Sequence, residues 1–246
     1  MNALSEVQKN IFAALNLISN DKYIEAKQII ELILKNDNYL KLISSADWQY
    51  VAGISLITGD LDLAGDSYLK ANNLPGTSFV MILKNNFKDA EEILKNAPLS
   101  PAKNWCYFLI KLFLNNKYIE KYLSFLTIRQ FLEFTVYILL YTKNLQYLEK
   151  LLQNSKKLRD VNLDSFKFIG CAYSSFGLLD EGIFYLNKAL KENDFDGEAY
   201  FFLGRGYFKK KSYAEALSAL ENAKLLMPSH LPTIELINKI KTIPNS

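Results

Sequence analysis

Two stretches of this 246-residue chain match position by position at an offset of 34 residues: FKFIGCAYSSFGLLDEGIFYLNKAL at 166–190 and YFFLGRGYFKKKSYAEALSALENAK at 200–224. Apolar and small side chains recur at matching positions with helical spacing. The matched pairs are Phe166/Tyr200, Ile169/Leu203, Gly170/Gly204, Tyr173/Tyr207, Leu179/Tyr213, Gly182/Ala216, Leu186/Leu220 and Ala189/Ala223. A fixed period of this length is the signature of a repeat architecture. Each copy predicts two antiparallel helices, because Gly and Ala permit close approach while the aromatic and Leu residues fill the space between.

The pattern resembles the tetratricopeptide repeat (TPR), most clearly over residues 162–229. The last unit carries the family's succession of aromatic, Leu-Gly, Tyr, small and Pro residues at Tyr200, Leu203, Gly204, Tyr207, Ala216, Leu220, Ala223 and Pro228. The preceding unit departs at Gly182, where Ala is usual, and at Asp194, where Pro would fall. The resemblance implies a right-handed superhelical solenoid, in which the first helices of successive hairpins line a concave groove that holds a peptide.

Upstream, the same pattern recurs with imperfect spacing. We take the first apolar residue after each turn within a hairpin as a marker, which gives Tyr23, Leu61, Phe87, Tyr118, Leu145, Leu179 and Tyr213. Six of the seven turns contain an Asn or Gly able to adopt a left-handed backbone: Asn20, Gly59, Asn85 with Asn86, Asn115 with Asn116, Asn144 and Gly177. Gaps of 26 and 27 residues between markers predict shortened first helices. The alternative is that the degenerate middle belongs to another all-α fold.

The resulting prediction is an all-α, right-handed superhelical solenoid of about seven TPR-like hairpins. It forms a single domain over 1–246, with a bend or joint near 98–104 between Pro98 and Pro101, and a capping helix over 230–243 that covers the last apolar face.

Composition narrows the function classes. Half of the residues are apolar, and only 10 Gly and 6 Pro are present, which favours a helical core over a β-sandwich. Uncharged stretches of about a dozen residues are too short to predict a membrane span. A net charge of +3 with three arginines argues against nucleic-acid binding, although the run 209–211 leaves that as a minor alternative. Cys106 and Cys171 fit neither a disulfide framework nor a zinc site, and a cytoplasmic location is expected.

No motif in the sequence predicts catalysis. His230 is the one histidine and has no nearby pattern of a metal site or catalytic triad, so a surface or capping role is favoured. Phosphate-binding glycine loops and hydrolase motifs are missing from the sequence. The chain is therefore expected to be no enzyme and to need neither cofactor nor metal.

Candidate partner-binding residues follow from the resemblance. The groove positions carried over from the two clear units are Asp164, Lys167, Cys171, Ser174, Glu198, Phe201, Arg205 and Phe208, and the degenerate units add Phe113, Tyr137 and Tyr141. Aromatic residues are twice as frequent over 105–147 as in the whole chain, either as groove anchors or as core. Replacing Lys167 and Arg205 by Ala is expected to weaken binding without lowering the melting temperature.

The expected function is a protein–protein interaction scaffold, adaptor or chaperone-like protein that holds a segment of another protein. In the first unit Ile11 and Leu15 occupy groove positions, which favours mainly apolar recognition over a grip on a terminal carboxylate. Two alternatives remain open: a self-associating assembly protein, such as a homodimer, and a peptide-sensing regulator.

Overall fold

The computed structural model describes residues 5–20, 22–115 and 119–243. Over these residues the chain forms sixteen α-helices, one short 3₁₀ helix and no strand, which confirms the all-α fold class. The α-helices are α1 (Glu6–Ser19), α2 (Tyr23–Leu34), α3 (Asp37–Leu40), α4 (Ser45–Ile57), α5 (Leu61–Lys70), α6 (Leu74–Leu83), α7 (Phe87–Asn96), α8 (Pro101–Phe113), α9 (Phe125–Tyr141), α10 (Leu145–Gln153), α11 (Ser155–Val161), α12 (Ser165–Phe176), α13 (Leu179–Glu192), α14 (Gly197–Lys209), α15 (Tyr213–Leu226) and α16 (Leu231–Lys241). The 3₁₀ helix, Ile119–Tyr122, lies between α8 and α9.

The helices pair in sequence as hairpins. Close packing joins α1 with α2, α4 with α5, α6 with α7, α12 with α13, and α14 with α15. Six of the seven sequence markers are the first residues of second helices, those of α2, α5, α7, α10, α13 and α15. The seventh marker, Tyr118, lies outside the described residues. The predicted start of the second helix is confirmed wherever the structure describes a marker, and the hairpin pairing is confirmed for the five pairs above.

The middle of the chain differs from the prediction in one respect. α6 is short, at 10 residues, as the gap of 26 residues predicted. α9 is instead 17 residues long, so the second short gap does not shorten a first helix. Between α8 and α9 the described residues contain only the four-residue 3₁₀ helix, and the shortening falls there.

The turns explain why these hairpins close where they do. Positive backbone φ angles occur at Gly59 (81°), Asn85 (66°), Asn115 (56°) and Gly177 (97°), as the sequence predicted. The left-handed conformation is adopted by residues that tolerate it and lets each helix end in a tight turn. Asn20 and Asn144 do not take this role. Asn20 has φ of −108°, and Lys143 rather than Asn144 has the positive φ. Lys211 supplies it in the seventh turn, where the sequence offers neither Asn nor Gly.

Local side chains fix several helix starts. At α4 the Ser44 hydroxyl accepts a hydrogen bond from the Asp47 backbone N–H at 3.2 Å, and the Asp47 carboxylate accepts one from the Ser44 N–H at 3.0 Å. This reciprocal capping box satisfies two N–H groups that the helix cannot pair internally. Asp196 caps α14 in a similar way by accepting from the Ala199 N–H at 2.9 Å.

The chain divides into two compact units, Met1–Tyr122 with Tyr141–Asn144, and Leu123–Leu140 with Leu145–Ser246. In the N-terminal unit one core cluster includes Ile11, Ile30 and Trp48. In the C-terminal unit, Leu186 and Leu220 are fully buried in two further clusters. The joint near 98–104 stays a prediction, and α8 begins within that range.

Candidate binding cleft

Within each of the hairpins α12–α13 and α14–α15, the two helices leave no space for a side chain at a glycine of the first helix. A Cβ atom on Gly170 would lie 3.0 Å from the Gly182 carbonyl oxygen, and one on Gly204 would lie 2.6 Å from Leu220 Cγ. Real Cβ atoms almost never come within 3.0 Å of a neighbour. The backbones of α12 and α13 therefore approach closely, and α14 is held against α15 in the same way.

One face of α14 carries Glu198, Phe201, Arg205 and Phe208, which follow each other at helical spacing. Phe201 and Phe208 are half-buried and pack against the core cluster of Ala216, Leu220, Ile237 and Ile240. Arg205 is exposed between them. The two rings therefore have a buried side and a side that remains accessible.

α16 completes a cleft along this face. The cleft has a volume of about 550 Å³ and is open to solvent. Its lining residues are Phe201, Arg205, Phe208 and Lys209 from α14, and Pro232, Glu235, Leu236 and Lys239 from α16. Phe201, Phe208 and Leu236 form an apolar floor, and the charged residues form the rim. An apolar floor with polar groups placed around it is typical of ligand sites.

The rim is mainly positive. Arg205, Lys209 and Lys239 are exposed, and within the described residues none of them forms an ion pair with a carboxylate. Two of the cations lie instead over aromatic rings: the Lys239 ammonium is 5.3 Å from the Phe208 ring centroid, and the Arg205 guanidinium is 5.7 Å from that of Phe201. Cation–π contact leaves the charge available to a further anionic partner.

Lys167 on α12 has a different setting. Its ammonium lies 2.8 Å from Asp196, 3.1 Å from Glu198 and 3.5 Å from Asp164, and its side chain is only 8% exposed. Burial alone would lower the pKa of Lys167, but the hydrogen bonds to Asp196 and Glu198, together with the negative charges of Asp196 and Asp164, raise the pKa. Lys167 therefore links α12 to the start of α14, as a structural ion cluster would.

Glu133 on α9 lies near this ion cluster. The pKa of Glu133 is raised, first because neighbouring protein atoms reduce its solvation and second because of the negative charge of Glu198. The positive charge of Lys167 acts in the opposite direction. Neither an ion pair nor a hydrogen bond holds this carboxylate among the described residues, and its side chain is partly open to solvent.

Besides Lys167, two further residues predicted to contact a partner are buried. Cys171 and Phe113 are each 3% exposed. Burial also raises the pKa of the Cys171 thiol well above its usual value. Phe113 packs edge-on against Phe87, with ring centroids 6.5 Å apart, in the N-terminal unit. The resemblance placed these positions on the groove surface, but the side chains lie beneath it, so we leave both out of the proposed contact set.

Tyr137 and Tyr141, one turn apart on α9, lie in different compact units. Tyr137 meets Phe176 edge-to-face at 6.2 Å in the C-terminal unit, and the Tyr141 ring lies against Gly59 in the N-terminal unit. Neither of them lines the cleft.

Three other aromatic residues over 105–147 belong to the core. Trp105, Phe108 and Tyr147 are 2%, 0% and 7% exposed. For these three, as for Phe113, burial favours the core alternative over the groove.

No second kind of site emerges from residues 5–20, 22–115 and 119–243. His230 lies beside the cleft but does not line it. Its Nδ1 is 2.7 Å from the Thr233 hydroxyl, and its ring packs edge-on against Phe201. Cys, His and acidic side chains form no group of three that could hold a metal ion in this part of the chain. Helices that are both long and apolar enough to cross a bilayer are likewise missing from it.

Comparison with solved structures finds helical-repeat proteins. A chain of the APC/C hetero-tetramer Cut9–Hcn1 matches at 14% identity and a TM-score of 0.39. The match covers 95% of this chain and 42% of that one. A tetratricopeptide repeat protein from Parabacteroides merdae matches at 14% identity and a TM-score of 0.40, covering 96% of this chain and 99% of that one. YrrB, described as a TPR protein with an unusual peptide-binding site, matches at 15% identity and a TM-score of 0.35, covering 85% and 96%.

Comparison with sequences gives no match to a protein-family model or to a curated protein. The TPR-like hairpin pattern rests on the chain's own 34-residue repeat and on the pairing of α12 with α13 and of α14 with α15.

Proposed function

We propose that this protein is a non-enzymatic interaction scaffold that holds a short segment of a partner protein in the cleft between α14 and α16. The observation that carries the proposal is the combination of a half-buried aromatic floor with a rim of three cations that lack an ion-pair partner among the described residues. Partly exposed aromatic residues supply large contact area with little loss of side-chain entropy, as interface anchors do.

The proposed contact set is a subset of the sequence prediction with additions from α16. Phe201, Arg205 and Phe208 remain from the prediction, and Leu236 and Lys239 are added because they line the same cleft. Lys167 is not in the contact set, but its ion pair with Asp196 holds the start of α14 in place.

In this proposal the protein acts by binding alone. The two free, buried cysteines, Cys106 and Cys171, fit a reducing, cytoplasmic setting.

The test begins with selection of random dodecapeptides on the immobilised full chain, followed by fluorescence anisotropy with the selected peptides. We expect Phe208→Ser to raise the Kd by about tenfold or more, because an anchor ring leaves the cleft floor. The matched control is Phe184→Ser, which removes an exposed ring on α13 that does not line the cleft.

Circular dichroism checks that both variants fold. Equal loss of affinity in the two variants, or unchanged affinity in Phe208→Ser, would contradict binding in the cleft. Arg205→Ala provides a second reading, because its exposed side chain supports no ion pair within the described part of the chain and its removal should spare stability.

A further inference from the structure

The charges along the accessible face of α14 are separated by sign. Glu198 lies in the first turn of the helix, whereas Arg205 and Lys209 lie in its second half. The positive end continues into α16 through Lys239, with Glu235 as the one carboxylate that lines the cleft there. The negative end continues to Asp164, the residue that precedes α12.

The negative end carries more charge than its cation neutralises. Lys167 is shared among Asp164, Asp196 and Glu198, so three carboxylates meet one ammonium. Glu198 has a side chain that is 64% exposed, and Asp164 is 35% exposed. Two of these carboxylates therefore face solvent while sharing a cation that is already paired to Asp196.

Helix dipoles account for only part of this pattern. An acidic residue in the first turn and a basic one in the last turn stabilise any helix, which explains Glu198 and Lys209. Arg205 lies away from both ends of α14, and Glu133 lies in the middle of α9. Neither position is at an end of its own helix. Arg205 adds to the positive charge at its end of the face, and the charge of Glu133 acts on the same groups as that of Glu198.

The separation of the two ends sets a length scale. Glu198 and Arg205 are about 10 Å apart along the axis, and Glu198 and Lys209 about 16 Å, at a rise of roughly 1.5 Å per residue. An extended chain advances about 3.3 Å per residue, so three to five residues of a bound segment span this distance. The apolar floor runs along this face from Phe201, one turn after Glu198, to Phe208, next to Lys209.

Resting on the proposed function, we propose that the cleft selects a mixed-charge segment of a partner protein. The segment places an apolar side chain on the Phe201/Phe208 floor, an acidic residue against Arg205 and Lys239, and a basic residue about three to five positions away against Glu198 and Asp164. Charge complementarity of this kind selects among partners more than it adds affinity.

The test uses acetylated, amidated decapeptides with a common Leu-Phe pair on a Gly/Ser background, so that the peptide termini carry no charge. One peptide has Lys and Glu four positions apart, and the others are doubly acidic, doubly basic or neutral. Anisotropy with the wild-type chain should give the mixed peptide a Kd about tenfold below that of the others. Because a peptide can bind in either direction, the order of the charges is not varied.

Charge reversal makes the test specific. The Arg205→Glu/Lys239→Glu variant has two acidic ends and should now prefer the doubly basic peptide, whereas Lys224→Glu on the exposed surface of α15 should leave the ranking unchanged. Lys239→Glu alone serves if the double variant does not fold. The proposed selection of a mixed-charge segment is contradicted if the Arg205→Glu/Lys239→Glu variant and the wild type rank the four peptides alike. It is also contradicted if all four peptides bind the wild type equally and Phe208→Ser abolishes their binding, because the cleft would then bind peptides without regard to charge. Failure of every peptide to bind would overturn the proposed function as well.

Discussion

Replacing Gly182 by leucine is expected to lower the free energy of unfolding of the C-terminal unit by about 3 kcal/mol, the upper end of the usual cost of overpacking. A Cβ atom at this position would lie 2.1 Å from the Ser174 hydroxyl oxygen, and 3.0 Å from the Ser174 backbone nitrogen and from the Gly170 carbonyl oxygen. The hydroxyl can rotate away, but the two backbone atoms belong to α12 and cannot. The better helix propensity of leucine, about 0.8 kcal/mol over glycine, offsets little of this cost.

Urea denaturation followed by circular dichroism measures the effect. The matched control is Ala214→Leu, a substitution to leucine at an exposed position on α15 of the same unit, which should change stability by less than about 0.5 kcal/mol. If Gly182→Leu were as stable as this control, α12 and α13 would not be in close backbone contact, and the hairpin geometry would need revision.

The second large effect concerns Lys167. Replacement by alanine should destabilise the protein by about 3 kcal/mol, because removing one partner of a buried ion pair leaves the other charge without compensation. Asp196 is 12% exposed and would then face Asp164 and Glu198 with no cation between them. Together with the loss of affinity expected for Arg205→Ala, this separates two residues for which the sequence had predicted the same behaviour.

A rescue variant distinguishes charge from packing. Asp196→Asn keeps a side-chain oxygen that can cap α14 but removes the unpaired charge, so Lys167→Ala/Asp196→Asn should recover part of the lost melting temperature. Lys224→Ala, at an exposed lysine with no ion pair in the described part of the chain, is the control. An unchanged melting temperature in Lys167→Ala would show that the ion cluster contributes no stability.

Most of the helical architecture could be predicted from the sequence because it depends on local signals. The apolar residue that follows each turn predicted the first residue of α2, α5, α7, α10, α13 and α15. The turn at Lys211 was not predictable in this way, since a lysine adopts a positive φ only where the surrounding hairpin imposes it. The length of α9 also escaped prediction, because a short gap between markers does not say which of two helices is shortened.

The candidate site was predicted only in part. Residues on one face of α14 could be identified from helical spacing, but burial of Cys171 and Phe113 depends on how neighbouring helices pack. The contribution of α16 was missed because the groove was expected on first helices alone. A signal was present: Glu235 and Lys239 lie four residues apart on α16, away from the buried Ile237 and Ile240.

Photo-crosslinking from a bound peptide tests the cleft assignment most directly. A selected peptide with a photoreactive group at its apolar position is irradiated in complex with the full chain, and the adducts are located by mass spectrometry. Adducts on α14 and α16, at residues such as Phe208 and Leu236, are the result that the cleft predicts. Adducts confined to the N-terminal unit, or to exposed residues such as Phe184 on α13, would contradict it.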